Sequence, residues 1–225
     1  MVSGIFPPLS VRLREGTREA HRRAESAPFM RELFSGRLPL AAYRVFLVQL
    51  YSIYSALETG AELLQPETSL RTFYLPALFR CTALERDLGF FFGDESWRKI
   101  MPLPATQAYV RRIETVAREW HLGLLAHHYT RYLGDLSGGQ VVKRIVAKMY
   151  SLDSDEGLAF YNFPQIPDYT AFKDEYRARL DALPIDEVMA RRIVAEANLA
   201  FELNRQVFTE MMEYLSPPSS RGIRV

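Results

Sequence analysis

The chain predicts an all-α domain, and three observations carry that expectation. Apolar residues recur with a period near 3.6 through most of the 225 residues, and no stretch alternates as a half-buried strand does. Prolines punctuate the pattern instead of interrupting it: Pro28, Pro39, Pro76, Pro104 and Pro184 stand where a helix can start, the position that proline tolerates best. Only Ser151–Asp168, with Gly157, Pro164 and Pro167, reads as a long irregular connection.

Taken in order, helices are predicted at about 10–26, 29–35, 39–65, 76–92, 104–122, 123–150, 169–182 and 185–214. The first carries Arg14, Arg18, His21 and Glu25 on one stripe, at i, i+4, i+7 and i+11. Pro28, Pro39, Pro76 and Pro104 open the next four, and Gly123 marks the break before the sixth. Along that sixth helix run Leu125, Tyr129, Tyr132, Leu133, Leu136, Val141, Val142, Ile145 and Met149. The seventh presents Lys173 and Arg177 one turn apart, and the eighth a stripe of Phe201, Asn204 and Phe208. Without repeats, linkers or low-complexity tracts, the expectation is one domain over 1–225, with residues 1–9 and 216–225 frayed.

Composition excludes several classes. Hydrophobic residues at 48% and charged residues at 24% are ordinary for a globular chain and argue against disorder. A net charge of +1 gives no global attraction to nucleic acid. Cys81 is the single cysteine, so an intrachain disulfide is impossible and a reducing, cytoplasmic setting is expected. The start, MVSGIFPPLS, has neither the basic nor the apolar region of a signal peptide, and no apolar run of membrane-spanning length stands out.

The most informative stretch is TRYLGDLSGGQ at residues 130–140, which places Gly134, Gly138 and Gly139 inside a predicted helix. Each glycine there costs about 1 kcal/mol against alanine, so three in six residues need a reason. Close packing of another helix is one reason. The alternation with Asp135 and Ser137 favours a second, a helix bent across a ligand that its bare backbone touches. The same face joins Arg131 to Asp135 at i, i+4, a spacing that suits an ion pair.

The run YTRYLGDLSGGQ resembles the distal-helix motif of the haem oxygenases. LREGTREAHRRAE at 13–25 and FKDEYRARL at 172–180 are similar to further segments of that family, so the resemblance spans almost the whole chain. It implies a helical fold that sandwiches haem between a proximal N-terminal helix and a glycine-kinked distal helix. It also implies O2-dependent cleavage of haem to biliverdin, CO and ferrous iron, at the α-meso carbon by family default. Because no GxGxxG or Walker-type loop occurs, the electrons would come from a separate reductase.

Residue by residue, the resemblance makes His21 the axial iron ligand, with Glu25 placed to accept its second ring N–H. Arg14 and Arg18 are cations for the haem propionates; relatives often have lysine at the first, and a guanidinium binds carboxylate as a planar fork instead. Lys173, Arg177 and the Tyr129 hydroxyl would join them, with Ser137 also in the haem contact set. On the distal side Asp135 would organise a water network with Tyr54 and Arg131, over a surface opened by Gly134 and Gly138. Phe201, Asn204 and Phe208 would lie along the distal pocket. His127 and His128 point about 100° apart and read as structural residues or as supports behind the site, and His121 as a capping or surface residue. A basic patch of Arg22, Arg23, Lys143, Arg144 and Lys148 is the expected docking surface for an acidic ferredoxin or flavoprotein.

Two other classes compete. A haem carrier would keep His21 and the propionate cations but would not need Asp135 beside the glycines. A TenA-type thiaminase of similar architecture would need a nucleophilic cysteine with an acid partner; Cys81 has Glu85 four residues on, but the local motifs of that family are missing.

Overall fold

The computed structural model describes residues 6–64 and 70–215, which form nine α-helices, short 3-10 turns and no strand. In order these are α1 (Leu9–Gly16), α2 (Arg18–Glu25), α3 (Pro28–Phe34), α4 (Leu40–Glu62) and α5 (Cys81–Phe92). They are followed by α6 (Pro104–Glu119), α7 (His121–Met149), α8 (Tyr169–Asp181) and α9 (Glu187–Leu215). Pro28 and Pro104 occupy first helical positions as predicted, while Pro39 is the residue before α4. The last residue of the helix predicted at 39–65, and the predicted frayed ends at 1–5 and 216–225, lie outside the described residues. Leu9, placed in the frayed end by sequence, starts α1 and is buried.

Four boundaries differ from the sequence reading. The helix at 10–26 is divided at Thr17, whose φ of −107° and ψ of −1° loosen the turn while its hydroxyl bonds the Leu13 carbonyl at 2.7 Å. Pro76–Leu78 is a single 3-10 turn, and α5 starts only at Cys81, where the Glu58 carboxylate takes the Arg80 and Cys81 amides. The break before α7 falls at Trp120, φ −156° and ψ 82°, not at Gly123. Gly123 instead lets α7 approach that residue, because a Cβ would sit 2.5 Å from the Trp120 ring. Helix α9 begins at Glu187, leaving Pro184 in the connection.

Helix α9 is the packing axis: α7, α2, α6, α1 and α3 all lie against it, and α4 packs against α5, α6 and α7. Contrary to the sequence reading, α4 is long and apolar enough to cross a membrane by length and composition, with mean hydropathy 1.3. In the fold it is a core helix, burying Tyr43, Leu47, Leu50, Ile53, Tyr54 and Leu57. Across the long connection, Gly157 takes φ +77° where a Cβ would meet Phe90 at 2.8 Å, and the chain turns into a buried 3-10 segment, Ala159–Tyr161.

Candidate functional site

Helices α2, α3, α4, α7 and α9 and the Ala159–Tyr161 turn enclose a cleft of about 160 Å³. His21, Ala24 and Glu25 line it from α2; Met30, Leu33 and Phe34 from α3; Phe46 and Leu50 from α4. Helix α7 contributes Thr130, Arg131, Gly134, Asp135, Gly138, Gly139 and Val142, and α9 contributes Phe201, Asn204 and Phe208. The cleft is mostly apolar, with one histidine and a small polar cluster.

Helix α7 runs unbroken through its glycines. A Cβ built on Gly134 or Gly138 meets no atom within 4 Å, so helix packing is not why these positions lack a side chain. They present bare backbone to the cleft. Gly139 differs: it is buried, and its Cβ would touch the Tyr161 ring at 3.7 Å.

His21 is half exposed, its Nε2 3.3 Å from Glu25 Oε1, and its ring stands edge-on to Phe201 with centroids 5.2 Å apart. One ring nitrogen therefore engages Glu25, the arrangement expected for a histidine that offers the other to a ligand. Neither Arg14 nor Arg18 turns toward His21: Arg14 lies on α1 across the break at Thr17, Arg18 opens α2, and both engage Glu15, at 3.0 and 3.6 Å.

The polar cluster joins three helices. Tyr54, fully buried on α4, donates to Asp135 Oδ2 and accepts from Arg131 Nη2 at 3.1 Å and Nε at 3.2 Å. The predicted Arg131–Asp135 pair is thus bridged by a tyrosine hydroxyl. Arg131 Nη1 donates to Asn204 Oδ1 at 2.7 Å, and Asn204 Nδ2 donates to the Tyr109 hydroxyl at 3.3 Å. Burial pushes the Asp135 carboxyl above the usual carboxylate range, and Arg131 and the Tyr54 hydrogen bond pull it part of the way back. Burial also raises the Tyr54 phenol well above its ordinary value, keeping it a donor.

Cations gather at one rim. Lys173 Nζ donates to Ser137 Oγ at 3.3 Å, and Tyr129, half-buried, lies within the field of both Arg177 and Arg14. Phe201 and Phe208 belong to core and cleft at once, Phe208 stacking on Phe29 at 6.1 Å. Phe201, expected on the distal side, faces His21 instead, because α9 packs along α2.

His127 and His128 are buried in the packing of α7. His127 is fully buried and bonds Glu196 at 2.9 Å, and Glu196 takes Arg112 at 2.8 Å, tying α7, α9 and α6 together. His128 stands edge-on to Tyr132, and burial lowers it to about 4. Cys81 fails as a nucleophile, since burial and Glu58 hold its thiol far above the usual range, while Glu85 is bonded to Tyr51. Of the cations expected at a docking surface, Lys143 is engaged by Asp155 and Asn162, both at 2.8 Å, and Arg22 by Glu19. Arg144 and Lys148 are exposed. The sequence reading missed Phe160, Tyr161 and the α3–α4 walls, which come to the cleft only through tertiary packing, and Tyr109, which stands behind Asn204.

The fold defines the class. It superimposes with a TM-score of 0.87 on heme oxygenase-1 of the cyanobacterium Synechocystis sp. PCC 6803, solved in complex with heme, at 41% identity over 93% of this chain and 96% of that one. A TenA homologue from P. horikoshii shares the all-α fold alone, with a TM-score of 0.64 at 13% identity over 92% and 99%. Residues 7–210 match the family described as Heme oxygenase, and the chain is 41% identical to the heme oxygenase of Guillardia theta over 92% of its length and 88% of the relative's. The chain belongs to the haem oxygenase family.

Proposed function

We propose that the chain binds haem in this cleft and cleaves it, with O2 and electrons from a separate reductase, to biliverdin, CO and ferrous iron. The observation that carries the proposal is the open backbone face of Gly134 and Gly138 in the cleft that His21 also lines. The chemistry of these walls and of the cations beside them suits a flat, largely apolar molecule with acidic edge groups. When bound, haem supplies the iron at which O2 reacts and the porphyrin carbon that is oxidised.

The chain's own residues do the positioning. His21 would hold the iron through a ring nitrogen, with Glu25 beside it to orient the ring. Lys173, Arg177, Arg14 and Tyr129 face the propionates, with Arg18 and Ser137 beside them. Gly134 and Gly138 let the macrocycle lie against α7, and Phe201, Asn204 and Phe208 form the wall from α9. Tyr54 occupies Asp135 Oδ2, which leaves Oδ1 to orient a proton donor over the reacting face. Arg131 holds Tyr54 and Asn204 in place for that task. The electron donor docks on Arg22, Arg23, Arg144 and Lys148, with Lys143 serving to hold the Asp155 loop.

Adding haemin to the protein and recording its absorption tests the proposal. A Soret band that gives way to a biliverdin spectrum with reductant and O2 is the expected result. A band that persists under those conditions identifies a haem carrier, and the absence of any band overturns both readings.

A further inference from the structure

Behind the cleft wall lies a carboxylate that the proposed reaction does not use. Asp87, on α5, is fully buried, and its two oxygens accept from consecutive amides, Oδ1 from Ala159 and Oδ2 from Phe160, each at 2.8 Å. These amides open the Ala159–Tyr161 turn, and Phe160 and Tyr161 both line the cleft. Buried irregular backbone must find partners for its polar groups, and one carboxylate gripping two neighbouring amides fixes both position and direction. The grip is reinforced from three sides. Arg80 donates to the Asn162 carbonyl at 2.5 Å, Gln140 of α7 donates to the Tyr161 carbonyl at 2.7 Å, and the Tyr43 and Tyr161 hydroxyls bond at 3.0 Å. The Phe160 ring then stands edge-on against Tyr54, 5.4 Å between centroids, and Tyr54 in turn donates to Asp135.

We infer that Asp87 is a positioning residue for haem cleavage: by clamping the Ala159 and Phe160 amides it fixes the Phe160–Tyr161 wall, and that wall sets the in-plane seating of the macrocycle and so the meso carbon that is attacked. The inference rests on the proposed haem chemistry. The clamp also has a titratable centre. Burial raises the Asp87 carboxyl to about 6, against the pull of the Phe160 and Ala159 amides and of Arg80. The charged and titratable groups facing it are Arg80 at the start of α5, Tyr43 on α4 and Tyr161 on the turn itself. A proton on either oxygen turns an acceptor into a donor that confronts an amide, and the clamp opens.

The test compares Asp87→Asn with Asp181→Asn. Asp181 makes an analogous pair of bonds, to the Ser10 amide at 2.7 Å and hydroxyl at 2.8 Å, but does not line the cleft. Haem affinity is read by absorption titration and the biliverdin isomer ratio by chromatography. Asp87→Asn should weaken haem binding about tenfold, the worth of one charged hydrogen bond, and add isomers the unsubstituted protein does not make. Asp181→Asn should change neither. Unchanged affinity and a single unchanged isomer in Asp87→Asn overturn the inference. If Asp87→Asn does not fold, the unsubstituted protein serves: further isomers should join its single product as pH falls through about 6, and one isomer throughout overturns the inference. A protein that makes no biliverdin at all refutes the proposed reaction instead, while the affinity comparison still judges the clamp.

Discussion

Tyr54 and Asp135 are 81 residues apart in sequence, and the tyrosine hydroxyl donates to the aspartate within the cluster that closes one side of the cleft. Arg131, one turn from Asp135 on the same helix, reaches it through that hydroxyl. The charge balance of the cleft therefore depends on a neutral residue from α4.

That dependence fixes the sign of a pH effect. Burial raises the Asp135 carboxyl, and the Tyr54 hydrogen bond is one of the influences that lower it. Tyr54→Phe removes a lowering influence, so the carboxyl should rise further. If ionised Asp135 is the form that orients the proton donor, the acidic limb of the biliverdin-formation profile should move to higher pH. Rates measured across the pH range for both proteins check this, and superimposable profiles would show that the hydrogen bond is incidental.

The glycines predict opposite changes in stability and binding. Because nothing lies within 4 Å of a Cβ at Gly134 or Gly138, alanine at either should raise helix stability by up to about 1 kcal/mol. The same methyl intrudes on the ligand face, so haem affinity should fall. Thermal melts without haem, paired with haem titrations, read both at once; unchanged affinity would return these glycines to a purely local role.

Stability in acid should hinge on the pair behind the cleft. Burial pushes Glu196 up, but His127 and Arg112 outweigh it and hold the carboxyl at about 2, below its ordinary 4.5. Its contribution is complete above pH 4.5 and is lost as pH falls toward about 2. His127, lowered by burial, acts in the same sense because it resists taking a proton in the folded state. Glu196→Gln should cost about 3 kcal/mol at neutral pH, as expected for breaking a buried charged pair, and should flatten the acid limb of the stability curve. Denaturant titrations across that window measure both effects.

Much of this was legible in the sequence because it is local. The 3.6 period and the edge prolines give the helices, and one helix carries Arg131, Gly134, Asp135 and Gly138 in fixed register. What the sequence hid depends on tertiary contact. The split at Thr17 removes Arg14 from the stripe that spacing implied, Arg18 turns its side chain to Glu15, and Lys143 is engaged by Asp155 from the loop beyond α7. Asp87 and Tyr109 carry no motif; only packing shows that one grips the Phe160 amide and the other extends the Asn204 cluster.

His21 separates ligation from trapping. His21→Ala should remove the axial nitrogen while the apolar walls and rim cations remain, so haem affinity should drop only in part and turnover should vanish. Added imidazole should refill the gap and restore some activity. An unaltered haem spectrum in His21→Ala would remove the residue from the site.

Product analysis of Asp135→Ala, supplied with haem, O2 and reductant, tests the central claim most directly. In the proposed arrangement Asp135 is neither the iron ligand nor a propionate partner, so the variant should bind haem nearly as the unsubstituted protein does. It should nevertheless form little biliverdin, with Asp135→Asn falling between the two, because an amide still orients a neighbour but carries no charge. A full biliverdin yield from Asp135→Ala would contradict the account and leave the aspartate as the structural partner of Tyr54 alone.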